Sequence, residues 1–308
     1  MPNQARHTRT APRLQENPLR IASYVHAGQR RVGVVSADGL QVTAFALTPD
    51  AARRGALPLI EAAARGEPQP ALEATSLPLA QVQLAAPIPL PRRNLWCVGR
   101  NYHAHARELA TSVFKDNSAS VVEWPIVFTK APETVIGPTD EVRLPGAAIS
   151  DQIDYEAELT IVIGKGGKNI RRADWREHVF GYTIINDVTA RDVQMRHQQW
   201  DMGKSFDTFC PMGPWIVTAD EFDATNTRVR CWVNGELRQD ARTEDLIFDL
   251  PTLVETVSRG ITLHPGDLIA TGSPAGVGMG FKPPKYLAAG DRVRIEIDGL
   301  GAIENRFV

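Results

Sequence analysis

Apolar and polar positions along the chain fall into short β-type runs, broken by glycine and proline and interrupted by a few helical intervals. Residues 21–25 and 31–35 read as strands joined at a Gly28 turn. Residues 42–45 read as a third strand after the turn signal Ser36-Ala37-Asp38-Gly39, and residues 57–65 as a short helix. Pro70 and then Pro87-Ile88-Pro89-Leu90-Pro91 read as a stiff linker that marks a boundary. Beyond Asn94 the runs continue, with residues 228–233 before Asn234-Gly235 and residues 291–297 before Asp298-Gly299. Such dipeptides favour hairpin turns because the backbone there reaches positive φ. Helical intervals are predicted near residues 103–110, 188–200 and 250–259, and no internal repeat is visible. The pattern predicts an α+β, β-rich protein rather than an alternating parallel-sheet fold. It divides into a disordered tail over residues 1–18, a small N-terminal α/β domain over 19–91 and a larger domain over 92–308.

Within the larger domain, Asp154-Tyr155-Glu156-Ala157-Glu158-Leu159 runs into the β-branched segment Thr160-Ile161-Val162-Ile163. Side chains alternate faces along a strand, so Glu156 and Glu158 project to one side. Two carboxylates that close repel unless a cation or a shared proton intervenes. Asp187 ends a second strand-like run, Tyr182-Thr183-Ile184-Ile185, and offers either a third carboxylate or a cap for the helix after it. Three carboxylates without a Cys or His cluster suit a hard cation, Mg²⁺ or Mn²⁺.

Other groups add possible chemistry. His105 and Glu108 are three apart on a predicted helix, so the carboxylate can orient the imidazole. The neighbouring His103 has Arg107 as its helical partner instead. Arg191 and Gln194 likewise share a face, and Gly203-Lys204-Ser205-Phe206-Asp207 sets one lysine among small and aromatic residues. Thr271-Gly272-Ser273-Pro274-Ala275-Gly276-Val277-Gly278 follows a strand and lets backbone approach a ligand. It lacks the glycine spacing and the following helix of a phosphate loop. Gly164-Lys165-Gly166-Gly167-Lys168 reads as a hairpin turn.

Composition narrows the classes. The chain of 308 residues is 43% apolar and 23% charged, with a formal net charge of −2, so nothing points to a nucleic-acid surface. No run approaches the eighteen apolar residues of a membrane span. Cys97, Cys210 and Cys231 are odd in number, share no metal-ligand spacing and read as reduced thiols of a cytoplasmic protein. The first residues hold Arg6, Arg9 and Arg13 and no acid before Glu16, but Pro2 and Pro12 argue against a transit helix.

Taken together, these motifs resemble the fumarylacetoacetate hydrolase family from about Asn94 to the C-terminus. The matching residues run from Cys97 to Tyr102 with His105 and Glu108, then Tyr155 to Leu159, Asn186 to Gln194, Gly203 to Asp207 and Thr271 to Gly276. The resemblance implies a mixed β-roll, a homodimer and, in many bacterial members, a small N-terminal domain. It implies that Glu156, Glu158 and Asp187 hold Mg²⁺ or Mn²⁺. Arg191, Gln194, Lys204 and Thr271 would contact a 2-oxo acid, and His105 with Glu108 would lie on a lid over the substrate. Between Leu109 and Trp124 the chain departs from the shorter members with a longer connection.

The chemistry implied is stabilisation of an enolate. If the bond beyond C3 joins an acyl carbon, His105 polarised by Glu108 activates water, Lys204 and Gln194 stabilise negative charge, and an acylpyruvate yields pyruvate and a carboxylic acid. This C–C hydrolysis, suited to the breakdown of aromatic compounds, is the expected reaction. Loss of CO₂ from oxaloacetate, or a proton shift in a 2-hydroxydiene-dioate, would use the same residues. A dimeric binding protein with a structural cation is the alternative outside enzymology, and it leaves Lys204 and the His105–Glu108 pair without a task.

Overall fold

The structure, a computed structural model, describes residues 19–112, 123–196, 199–220 and 222–308. The predicted tail over 1–18 and most of the connection between Leu109 and Trp124 lie outside the described residues. The first unit contains β1 (Arg20–His26), β2 (Gln29–Val35), β3 (Gln41–Phe45), α1 (Pro49–Arg53), α2 (Leu57–Ala64), β4 (Leu72–Pro78) and β5 (Gln83–Ala85). Then come β6 (Leu95–Gly99), α3 (His103–Ser112), β7 (Ile126–Lys130), β8 (Val135–Ile136), β9 (Ile153–Asp154) and β10 (Ala157–Ile163). These are followed by β11 (Val179–Asn186), β12 (Thr189–Ala190), α4 (Arg191–Arg196), α5 (Asp201–Lys204) and β13 (Cys210–Thr218). The last third holds β14 (Arg228–Val233), β15 (Glu236–Arg242), α6 (Leu250–Ser258), β16 (Leu268–Ala270), β17 (Arg292–Ile297) and β18 (Gly301–Arg306).

Twelve strands form one mixed sheet, in the order β4-β3-β2-β1-β13-β11-β10-β16-β6-β7, with β5 on β1 and β8 on β13. A second, antiparallel sheet runs β15-β14-β17-β18, and β9 pairs with β12. The fold is α+β and rich in strands, as the pattern predicts. Every residue of β10 is buried, because the strand has a core on each side. Leu159, Ile161 and Ile163 face Val229, Val293, Ile295 and α6, whereas Val162 joins Ile185, Leu268 and the N-terminal residues Leu57 and Ile60. The two-residue period of the strand places Glu158 on the Val162 side.

The strands of the N-terminal unit continue the large sheet, because Arg20 and Ile21 of β1 pair with Val217 and Ile216 of β13. Pro87-Ile88-Pro89-Leu90-Pro91, expected as a stiff linker, is packed into the protein at its centre. Ile88 is fully buried in the core shared by the two parts, and the Pro87 carbonyl accepts from Ala56 N–H and the Ser23 hydroxyl. An apolar side chain between the prolines outweighs their linker-like composition. The Gly164–Lys168 motif is not a hairpin turn, since residues 164–178 form a longer connection with a 3₁₀ segment at Arg172–His178. A Cβ on Gly166 would lie 2.8 Å from the Leu263 carbonyl, so glycine there permits close packing. The interval predicted helical over 188–200 breaks into β12 and α4, because Thr189 pairs with Asp154 before the helix starts. The other turn assignments hold: Ala27-Gly28 and Asn234-Gly235 have φ of 48°, 75°, 50° and 82°.

Ile88→Ala is expected to lower stability by about 2–5 kcal/mol, the usual cost of a large-to-small change in a packed core. Urea unfolding of the whole chain measures it, and an unchanged midpoint would return this segment to the role of a linker.

Candidate active site

The ends of buried strands bring the site together. Glu156 precedes β10, Glu158 lies within it, and Asp187 follows β11, which pairs with β10 along its length. Carboxylate oxygens of the three lie within 4.8 Å of one another, and all three residues are buried. Asp187 does not cap α4. One of its oxygens meets Lys130 Nζ at 2.8 Å and the other accepts from Lys204 Nζ at 2.6 Å. Lys204 also donates to Glu156 at 2.6 Å, and Arg191 approaches the other Glu156 oxygen at 2.7 Å. Glu158 accepts from Gly272 N–H at 2.9 Å.

The electrostatics follow from this wiring. Burial alone would raise Glu156, but Lys204 and Arg191 outweigh it and hold its carboxyl well below the usual range. Glu158 goes the other way: burial, then the charges of Asp187 and Glu156, push its carboxyl well above the usual range. Lys204 is raised, because Asp187 and Glu156 outweigh the burial that would lower it. Four buried carboxylates, Asp154 included, thus face three buried cations, Lys130, Arg191 and Lys204. This all-oxygen donor set with one negative charge in excess fits a hard divalent cation.

The other groups are held from the opposite direction. At the end of β6 the chain turns through Arg100, with φ of 53°, into α3. The Asn101 side chain ties this turn to Thr271 and Phe248: its amide donates to both carbonyls and its oxygen accepts from Phe248 N–H. On α3, His105 Nδ1 lies 3.1 Å from a Glu108 oxygen, and Glu108 accepts from Gly276 N–H at 3.0 Å. A Cβ on Gly280 would stand 2.2 Å from Glu108, so that position must be bare for the helix to dock. Arg191 donates to Asp154 at 2.9 Å and to Gln194 at 3.1 Å.

A cavity of about 20 Å³ lies among these residues. Of the residues singled out in the sequence, His105, Glu156, Glu158, Arg191, Gln194 and Lys204 line it. Glu108 and Asp187 stand behind this lining, bonded to His105 and Lys204. His103 is exposed. Thr271 is fully buried, and its hydroxyl donates to the Leu159 carbonyl at 2.9 Å. Ser273 is the hydroxyl residue at the cavity. Gln239, on β15 of the second sheet, donates to Ser273 Oγ at 2.7 Å while accepting from Ala157 N–H at 3.0 Å.

Phe128 and Trp200 complete the wall, packed edge to face with centroids 5.3 Å apart. A Cβ on Gly99 would lie 2.4 Å from the Trp200 ring.

Sequence reasoning missed Lys130, Asp154 and Ser273 as parts of the site. A lysine ending the apolar run Ile126-Val127-Phe128-Thr129 was a signal for the first. Lys130 is fully buried and also donates to the carbonyls of Val188 and Lys204. Asp154 accepts from Gly278 and Met279 N–H as well as from Arg191, which locks the glycine-rich loop to β9.

The profile of the fumarylacetoacetate (FAA) hydrolase C-terminal family matches residues 94–308. Oxaloacetate tautomerase YisK of Bacillus subtilis (strain 168) is 49% identical over 230 residues, covering 74% of each chain. The mitochondrial oxaloacetate tautomerase FAHD2A of Homo sapiens is 44% identical over 235 residues, 75% of this chain and 71% of that one. Among solved structures, a fumarylacetoacetate hydrolase from psychrophilic Exiguobacterium antarcticum superposes with a TM-score of 0.80 at 41% identity. It covers 94% of this chain and 99% of its own. A 2-hydroxyhepta-2,4-diene-1,7-dioate isomerase from Mycobacterium marinum gives 0.75 at 34% identity, covering 94% and 98%. The chain belongs to the fumarylacetoacetate hydrolase family.

Lys130→Met should destabilise the protein by about 3–5 kcal/mol, because it leaves Asp187 buried without one of its two ammonium partners. Denaturant unfolding in the presence of a chelator measures this, and a loss under 1 kcal/mol would show that Lys204 alone suffices for Asp187.

Proposed function

We propose that this family member is an enzyme that interconverts the keto and enol forms of a small 2-oxo dicarboxylate of the oxaloacetate type. One observation carries the reading: an imidazole fixed by a carboxylate faces a small cavity shared with cationic side chains and two of the three acids, Glu156 and Glu158. Keto–enol exchange requires only that a proton move and that negative charge on oxygen be stabilised. Relatives named oxaloacetate tautomerases, at 44–49% identity, support the same choice. Among the reactions considered from sequence, a proton shift is therefore placed ahead of C–C hydrolysis.

Glu108 accepts from His105 Nδ1, so Nε2 of the neutral ring is the lone-pair nitrogen. In the forward direction Nε2 takes a proton from C3, the C3–H pair forms the C2–C3 double bond, and the C2–O π pair moves onto oxygen. The imidazolium then returns the proton to that oxygen, giving the enol; the reverse sequence regenerates the ketone. Lys204 and Gln194 stabilise the developing charge, and Arg191, aimed by Asp154, takes a carboxylate. Arg100 at the cavity is the partner for the second carboxylate of a dicarboxylate. Glu156, Glu158 and Asp187 would hold Mg²⁺ or Mn²⁺, whose Lewis acidity favours negative charge on the 2-oxo oxygen.

Hydrolysis of an acylpyruvate is the second reading, favoured by the likeness to the Exiguobacterium hydrolase structure. There His105 would have to activate water instead of accepting a C3 proton.

His105→Ala should slow enol–keto conversion of oxaloacetate by roughly 10²–10⁴-fold, the scale of a lost general base. Glu108→Gln should lose activity in the same direction, and His103→Ala should stay close to wild type. The decay of enol absorbance measures all three at matched metal occupancy. Rapid release of pyruvate from an acylpyruvate, with no acceleration of tautomerisation, would replace this reading by hydrolysis.

Chelation should abolish turnover and added Mg²⁺ or Mn²⁺ restore it, while Asp187→Ala should bind Mn²⁺ poorly in a direct titration. Full turnover by metal-free protein would remove the cation from the reaction.

A further inference from the structure

The N-terminal unit contains a second cavity, of about 330 Å³, which shares no residue with the catalytic pocket. It opens between β2, α1 and the chain after β3. Part of its wall is apolar, with Val32, Phe45 and Ala52 buried at its base and Leu47 and Pro49 beside them. Three arginines, Arg30, Arg31 and Arg53, and one acid, Glu73, also line it, an excess of two positive charges.

These cations are not equivalent. Arg31 is paired with Glu73 at 2.6 Å. Arg53 is 3.5 Å from Asp50 in an exposed pair of the kind that contributes little. Arg30 is partly buried, and no carboxylate pairs with it among the described residues. Alternation along β2 puts Arg30 on the face of Val32, opposite Arg31, and so against the apolar wall. A ligand carboxylate at this cavity would give the Arg30 guanidinium a charge-assisted partner. Small-molecule sites combine apolar contact with convergent polar groups, and both kinds of residue meet at this cavity.

We propose that this cavity binds a compact organic anion, a carboxylate on an aryl or branched apolar body. The carboxylate meets Arg30 and Arg53, and the body lies against Phe45 and Leu47. The chain's own first residues are poor occupants, because Arg6, Arg9 and Arg13 precede their first acid, Glu16. The site does not depend on which reaction the catalytic pocket performs.

Calorimetric titration of the full chain with 2-naphthoate tests this, with acetate and 2-naphthol as the anion without the body and the body without the anion. The expected result is one 2-naphthoate per chain, with both controls binding at least about tenfold more weakly, 2-naphthol through the loss of a charge-assisted hydrogen bond and acetate through the loss of apolar burial. Arg30→Gln should weaken 2-naphthoate about tenfold or more. Leu47→Asp, which puts a carboxylate into the cavity, should abolish binding. Both variants should keep wild-type turnover in the absence of the probe, which shows that they are folded. No saturable binding to wild type, equal binding by Arg30→Gln, or equal binding of 2-naphthol would each overturn the proposal.

Discussion

Burying four carboxylates at the ends of paired strands is the constraint that the rest of this molecule answers. Asp154, Glu156, Glu158 and Asp187 are all shut away from water, and such charges persist in a core only with partners. Lys130, Arg191 and Lys204 are the partners, carried by β7, α4 and α5. Their charge falls one short, and the shortfall appears at Glu158, whose carboxyl is held above the ordinary range by burial and by its neighbours. The arrangement suits both a hard cation and a substrate whose charge grows during reaction, so the requirements of stability and chemistry coincide in one cluster.

The same constraint explains where backbone must come close. Gly203 lets α5 lie against α4, since a Cβ there would sit 2.6 Å from Gln194 N, and that contact sets the depth of Lys204. Gly272, with φ of 104°, approaches Asn101 and turns its N–H toward Glu158. Gly280 leaves room for Glu108, which holds His105. Each glycine removes a side chain where a charged or polar group of the site has to be approached closely, and each acts through a different neighbour.

The N-terminal unit is joined to this centre through shared strands. β1 extends the large sheet at β13, β13 pairs with β11, and β11 delivers Asp187. Leu57, Ile60 and Ile88 fill the same core as Val162 and Leu268. A unit that completes the core in this way is part of the scaffold of the site. The arginine-lined cavity opens at the rim of that core, beside Val32 and Phe45.

Much of the fold and site was legible in the chain because the relevant distances were local. A two-residue spacing put Glu156 and Glu158 on one face, and three-residue spacings paired His105 with Glu108 and Arg191 with Gln194. Asn-Gly marked a hairpin because that dipeptide tolerates positive φ. These relations depend on strand and helix geometry alone. Other features depended on partners far away in sequence. Lys130 reaches Asp187 across 57 positions, and Asp154 meets Gly278 across 124. No local spacing encodes either contact. Thr271 and Ser273 look interchangeable as hydroxyl donors until the Leu159 carbonyl takes the first and Gln239 orients the second. Pro87 to Pro91 has the composition of a linker, and only the packing of Ile88 makes it core. Periodicity decided which groups share a face; tertiary packing decided which of them meet, because burial and hydrogen-bond satisfaction are properties of the assembled chain.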